Sequence, residues 1–94
     1  MTVDEFVPQV DSEFRIDLSD GAAMTLTLIA ADPDKRSAPE GFRTPFSLRF
    51  KSDSRIVLSQ DIYTLRRPGS DDLALFLVPY KQTEEGVFYA VSIN

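Results

Sequence analysis

The sequence has no cysteine and no histidine. Without cysteine there is no disulfide framework, no thiolate nucleophile and no cysteine-based zinc site. Without histidine there is no imidazole ligand, no histidine-assisted serine nucleophile and no side chain whose unperturbed pKa lies near neutrality. Catalysis would fall to Asp, Glu, Lys, Arg, Tyr or Ser, and the expectation is a protein that is not an enzyme and carries no cofactor. No apolar run is long enough for a membrane span. The N-terminal MTVDEFVPQVD is acidic and has no signal-peptide pattern, so a cytoplasmic chain with no membrane partner is expected. No stretch keeps the helical period that a crossover between parallel strands requires.

What is present reads as one soluble domain over residues 1–94, with 43% apolar and 27% charged residues. A chain of this length buries only about 60–65% of its unfolded surface, so nearly every large apolar residue must contribute to the core. The net charge of −5 is unevenly spread. Residues 1–42 carry nine acids and three bases, residues 43–67 six bases and two acids, and residues 68–94 four acids and one base. A basic stretch can be a nucleic-acid footprint. Here the whole chain is acidic and no aromatics interleave the polar positions, so exposed strand positions paired with acidic neighbours are expected instead, and no nucleic acid.

Period-two alternation recurs along the chain. Phe14, Ile16 and Leu18 alternate with Arg15, Asp17 and Ser19, and Asp20-Gly21 follows as a turn pair. Met24, Leu26, Leu28 and Ala30 then alternate with Thr25, Thr27 and Ile29, completing a hairpin. Residues 32–45 form a proline-rich loop. Its Asp32, Asp34 and Glu40 lack the spacing of a calcium loop, and no metal is expected. FSLRFK places Phe46, Leu48 and Phe50 inward. Later strands come from IVLSQDIYTLRR, LALFLVPY and VFYAVSIN, separated by Pro68-Gly69 and KQTEEG turns. At the start, Thr2-Val3-Asp4-Glu5 has the capping-box form, and Phe6 and Val10 share one side of a short helical turn limited by Pro8. The expected fold is all-β: about six antiparallel strands in a small sandwich or partly closed barrel, with a short N-terminal helical segment.

LALFLVPY breaks the alternation and reads as a strand apolar on both faces, with Pro79 at an edge, a bulge or the ladder's end. Leu75 and Leu77 fall with Tyr63, Leu65 and Tyr89 on one face. Ile62, Ala74, Phe76, Val78 and Phe88 fall on the other. Three covers suit that second face: an internal lid bearing Phe6 and Val10, which is the first expectation; a barrel with a different inside; or another chain. With Tyr80 at the strand end, the candidate interaction face is Ile62, Phe76, Val78, Tyr80 and Phe88. Tyr63 and Tyr89 are expected in the core with hydroxyls at the rim, and Gln60 as a partner for loose backbone groups. The pairs Asp71-Asp72 and Glu84-Glu85 read as solubilising turn residues, because catalytic carboxylates need a cleft.

FSLRF, QDIYTLRRPG, LFLVP and the terminal YAVSIN together resemble a small bacterial domain family of unknown function. Its members carry FSL-x-F, Q-x-x-Y-x-L and FLVP in order and stop near YEAVFN. The matching positions are Phe46, Ser47, Leu48 and Phe50; Gln60, Tyr63 and Leu65; Phe76, Leu77, Val78 and Pro79; and Tyr89 and Asn94. Ala90 stands where the family carries a Glu, which argues against a family-wide catalytic acid there. The resemblance implies a non-enzymatic interaction or assembly module, accessory to a tail-like or surface-fibre protein of the tail-collar type. Alternatives are a small-molecule or lipid-binding β-barrel, which needs an apolar interior pocket, and a small acidic inhibitor or immunity-type protein acting through residues 4–40. A protein partner is expected in the first case, or a second copy of the chain.

Overall fold

The alternating runs become six strands in a computed structural model that describes residues 2–33, 45–67, 69 and 71–93. They are β1 (Glu13–Asp17), β2 (Ala23–Pro33), β3 (Phe46–Ser52), β4 (Asp61–Leu65), β5 (Leu73–Thr83) and β6 (Gly86–Ile93). Their order is β1-β2-β3-β6-β5-β4, antiparallel throughout. The two outer strands then meet. Arg15 and Arg66 exchange both backbone hydrogen bonds, at 2.8 and 2.7 Å. The sheet is therefore a nearly closed barrel, and closure satisfies backbone groups that an open edge would leave unpaired.

Inward positions fill the barrel. Leu26, Leu28, Leu48, Phe50, Leu65, Leu77 and Tyr89 are all 0% exposed. Phe14 meets Phe50 edge-on, with ring centroids 5.5 Å apart. One inward assignment is corrected. The β2–β3 register shifts between Leu28 and Ala30, so Ile29 is an extra residue. Beyond it Ala31, not Ala30, faces the core, because a one-residue slip exchanges the two faces of a strand.

Two segments plug the ends. At one end, 3-10 turns over Val3–Glu5 and Val7–Gln9 carry Phe6 between them. Phe6 is 1% exposed, and its ring centroid lies 5.8 Å from that of Phe46. Thr2 occupies the cap position without a side-chain bond, so the capping box does not form. Pro8 sits inside the first residues of its turn, where a missing N–H costs little. The strap is tied to β2 through Asp11 N–H to Leu28 O at 2.7 Å and Leu28 N–H to Ser12 O at 3.1 Å. Phe6, Val3 and Val10 thus belong to the main core. They do not cover the outer face of β4 to β6, and the internal-lid expectation is overturned.

At the other end, β3 and β4 are not neighbours, since β6 and β5 lie between them. Residues 53–60 must cross the barrel mouth, and Leu58 enters the core on the way. Two tyrosines hold this crossing. Tyr89 Oη accepts the Leu58 N–H at 3.0 Å, and Tyr63 Oη donates to Ser59 O at 2.8 Å. The tyrosines are structural, as the sequence pattern suggested. Gln60 is exposed, and the role expected of it is filled by these hydroxyls.

Tyr89→Phe should cost about 1–3 kcal/mol, because it leaves a buried Leu58 N–H without an acceptor. Burial raises the Tyr89 pKa above its ordinary 10.0; the Leu58 hydrogen bond opposes this and Tyr63 adds to it. Ionisation is therefore disfavoured in the folded state. The associated stability is complete below about pH 10 and is lost as pH climbs through the raised value. Denaturant midpoints measured from pH 7 to 11 check both points, and the alkaline decline should be shallower in the Phe variant.

Candidate functional site

The outer face of β4, β5 and β6 collects the residues left over from core packing. Ile62 on β4 is opposite Phe76 on β5, and Val78 is opposite Ala90 on β6. Ile62 is 66% exposed, Phe76 47% and Tyr80 46%. Val78 is half-buried beside them. Ile62, Phe76, Val78 and Tyr80 form a surface rather than a second core, while Phe88, expected on the same face, is buried. LALFLVPY is accordingly not buried on both sides: Leu75 and Leu77 point in, while Ala74 and Phe76 are exposed.

β5 does not end at Pro79; it runs on to Thr83. Its pairing with β4 stops at Leu77, however, and pairing with β6 begins at Val78. Pro79 thus sits where the strand changes partners, as a residue without an N–H should. Directly after it the β5–β6 register shifts between Pro79 and Lys81. This bulge sets two residues, Tyr80 and Lys81, against Phe88. Without it Lys81 would fall in register with inward-facing Val87; with it, Lys81 pairs with Phe88.

Phe88 is only 9% exposed, because the bulge roofs it. The Tyr80 ring lies 6.3 Å from it, centroid to centroid, and Lys81 Nζ stands 4.3 Å from its centre. On the β3 side Lys51 is its register partner. Arg49, opposite Ala90, brings its guanidinium carbon to 5.9 Å from the Tyr80 ring. The face is therefore an apolar strip with an aromatic shelf at one end and cations on the rim. Sequence alternation supplied the strip. It missed the roles of Arg49, Lys51 and Lys81, which depend on strand order and on the bulge.

Much of the remaining charge is engaged locally. Arg66 lies 3.0 Å from Asp17 and 3.9 Å from Asp72, and Lys51 lies 3.3 Å from Asp53. These pairs are exposed and contribute little to stability. Asp71, Asp72, Glu84 and Glu85 are exposed turn residues. No group of three or more carboxylates that could hold a metal ion occurs among the described residues. Asp34, Glu40, most of the proline-rich loop, Pro68 and Asn94 lie outside the described residues. An open groove of about 290 Å³ runs between the β1–β2 turn and the crossing segment, lined in part by Met24, Lys51, Asp53 and Ile56. No described helix is long and apolar enough to cross a membrane.

A family model described as "Domain of unknown function (DUF6916)" matches residues 1–93. No curated protein and no solved structure matches the chain.

Proposed function

We propose that this chain, which belongs to the DUF6916 family of domains of unknown function, is a non-enzymatic protein-interaction module. Its docking surface is the outer face of β4 to β6. The observation that carries the reading is that Ile62, Phe76 and Tyr80, three of the six large apolar side chains left exposed among the described residues, share one face beside half-buried Val78, whereas Val7, Ile56 and Val57 lie outside that face. Each such side chain is worth roughly 1.5–3 kcal/mol when covered, which favours a partner. Tyr and Phe are also the residue types enriched at contact surfaces.

The barrel interior is occupied by the chain's own side chains, which weighs against a lipid-binding barrel. Among the N-terminal acids, Asp17 is already engaged by Arg15 and Arg66, which weighs against an inhibitor surface built on it. The resemblance of the motifs points to a tail-collar or surface-fibre protein as the partner.

Phe76→Asp separates a docking role from a structural one. The side chain is on the surface, so the variant should keep its thermal midpoint while losing partner retention by a factor of at least about 30, as expected for a central contact worth about 2 kcal/mol. Retention of a fibre-type protein by the wild type and its loss in the variant supports the reading. Equal retention by both overturns it. A concentration-dependent dimer that the substitution dissolves would identify the partner as a second copy.

A further inference from the structure

We propose that the partner presents an acidic segment: apolar side chains that cover Ile62 and Phe76, with carboxylates at the Tyr80–Phe88 end. The inference rests on the docking reading above and adds the chemistry and orientation of the occupant.

The chain is acidic overall, yet its exposed aromatic shelf is bordered by cations. Arg49 leans on Tyr80 and Lys81 on Phe88, and Lys51 is in register with Phe88 from the other side. Arg15, Arg66 and Lys51 itself are matched by acids, while Arg67 rests on the Phe14 ring and bonds Gln9 and the Asp71 carbonyl. Among the described residues no carboxylate comes within 4.0 Å of Arg49 or Lys81. Their charges rest against ring faces instead. A ring face holds a surface cation only weakly, so an arriving carboxylate can add to the contact without displacing an ion pair.

The carboxylate of Asp61, on outer strand β4 in register with Leu77, is engaged locally, accepting the Ile62 N–H at 2.7 Å. The cations Lys81 and Arg49 thus gather at the Tyr80 end of the face, away from the Ile62–Phe76 pair, and an approaching segment is oriented by that asymmetry. A polyanion such as a nucleic acid would also meet the cations and could stack on the rings. It would meet the repulsion of a chain carrying −5 as well. A short acidic segment brings only the few charges that the rim can match.

Isotope-labelled protein titrated with short synthetic peptides tests this. Three peptides share the same Phe and Leu content and differ in their flanking residues: Asp and Glu, Ser, or Lys. Amide shifts at Phe76, Tyr80 and Phe88 report docking on the face. The acidic peptide should bind about tenfold more tightly than the Lys peptide, and the gap should shrink between about 50 and 500 mM salt as screening shortens. Arg49→Glu combined with Lys81→Glu should reverse the order of the peptides while the fold is kept.

If all three peptides shift the face equally, the acidic partner is overturned and the docking surface stands. If no peptide shifts the face, both readings fail. Tighter binding of an oligothymidylate to the same amides would overturn the acidic peptide in favour of nucleic acid.

Discussion

Phe6→Ala should destabilise the domain by about 3–5 kcal/mol, the range for emptying a buried aromatic site. A small domain has a total of roughly 5–15 kcal/mol, so the variant should be partly unfolded at 37 °C. The effect is large because Phe6 plugs a barrel end. Its ring is buried against Phe46, and the 3-10 turns that carry it bury none of their own residues. The strap's other core contacts, Val3 and Val10, are only partly buried and too small to replace the ring. Thermal unfolding followed by far-UV circular dichroism reads the loss, and Phe6→Leu should recover more than half of it. A midpoint unchanged by Phe6→Ala would mean that the strap is not part of the cooperative core.

Gly86→Ala should cost about 2–5 kcal/mol, combining a disfavoured backbone conformation with overpacking. Gly86 has φ of +142°, where side chains with a Cβ are strained. A Cβ there would lie 1.9 Å from Ser52 O, which is backbone and cannot rotate aside. The neighbouring residue pair Ser52 and Val87 belongs to the β3–β6 ladder, so relief would open the end of that ladder. Gly21 offers the control. It also has positive φ, +88°, but nothing lies within 4 Å of its Cβ position. Gly21→Ala should therefore show only the conformational part, about 1 kcal/mol or a little more. Similar losses at the two sites would remove the close approach to Ser52 as the cause.

Much of the inner surface was legible because burial follows a period of two. Phe14, Ile16, Leu48, Phe50, Leu75, Leu77 and Tyr89 all lie inside, as alternation requires. The outer strip Ile62, Phe76 and Val78 followed from the same rule. The errors fall where the period slips. At Ile29 an extra residue moved Ala31 inward, and at Tyr80 an extra residue moved Lys81 outward beside Phe88. The stretch at Ile29 carries no glycine or other local signal of a bulge, whereas Pro79 marked the second site as an edge, a bulge or a ladder's end. The cover assigned to the outer face failed for a different reason: whether Phe6 reaches the core or the outside depends on which barrel end is open, a non-local fact.

The sequence by itself determined the class of structure, the strand count, the inward rows and the lack of thiol and imidazole chemistry. These depend on residue type and on spacing within a few positions, where backbone sterics and hydrophobic burial act locally. Only the tertiary structure decided that β1 closes on β4 through Arg15 and Arg66, that Tyr89 and Tyr63 hold the crossing segment, and that Arg49, Lys51 and Lys81 gather around one aromatic shelf. Those outcomes require strand order and register, which bring together pairs such as Leu58 with Tyr89 and Arg15 with Arg66, 31 and 51 positions apart, and which no local period encodes.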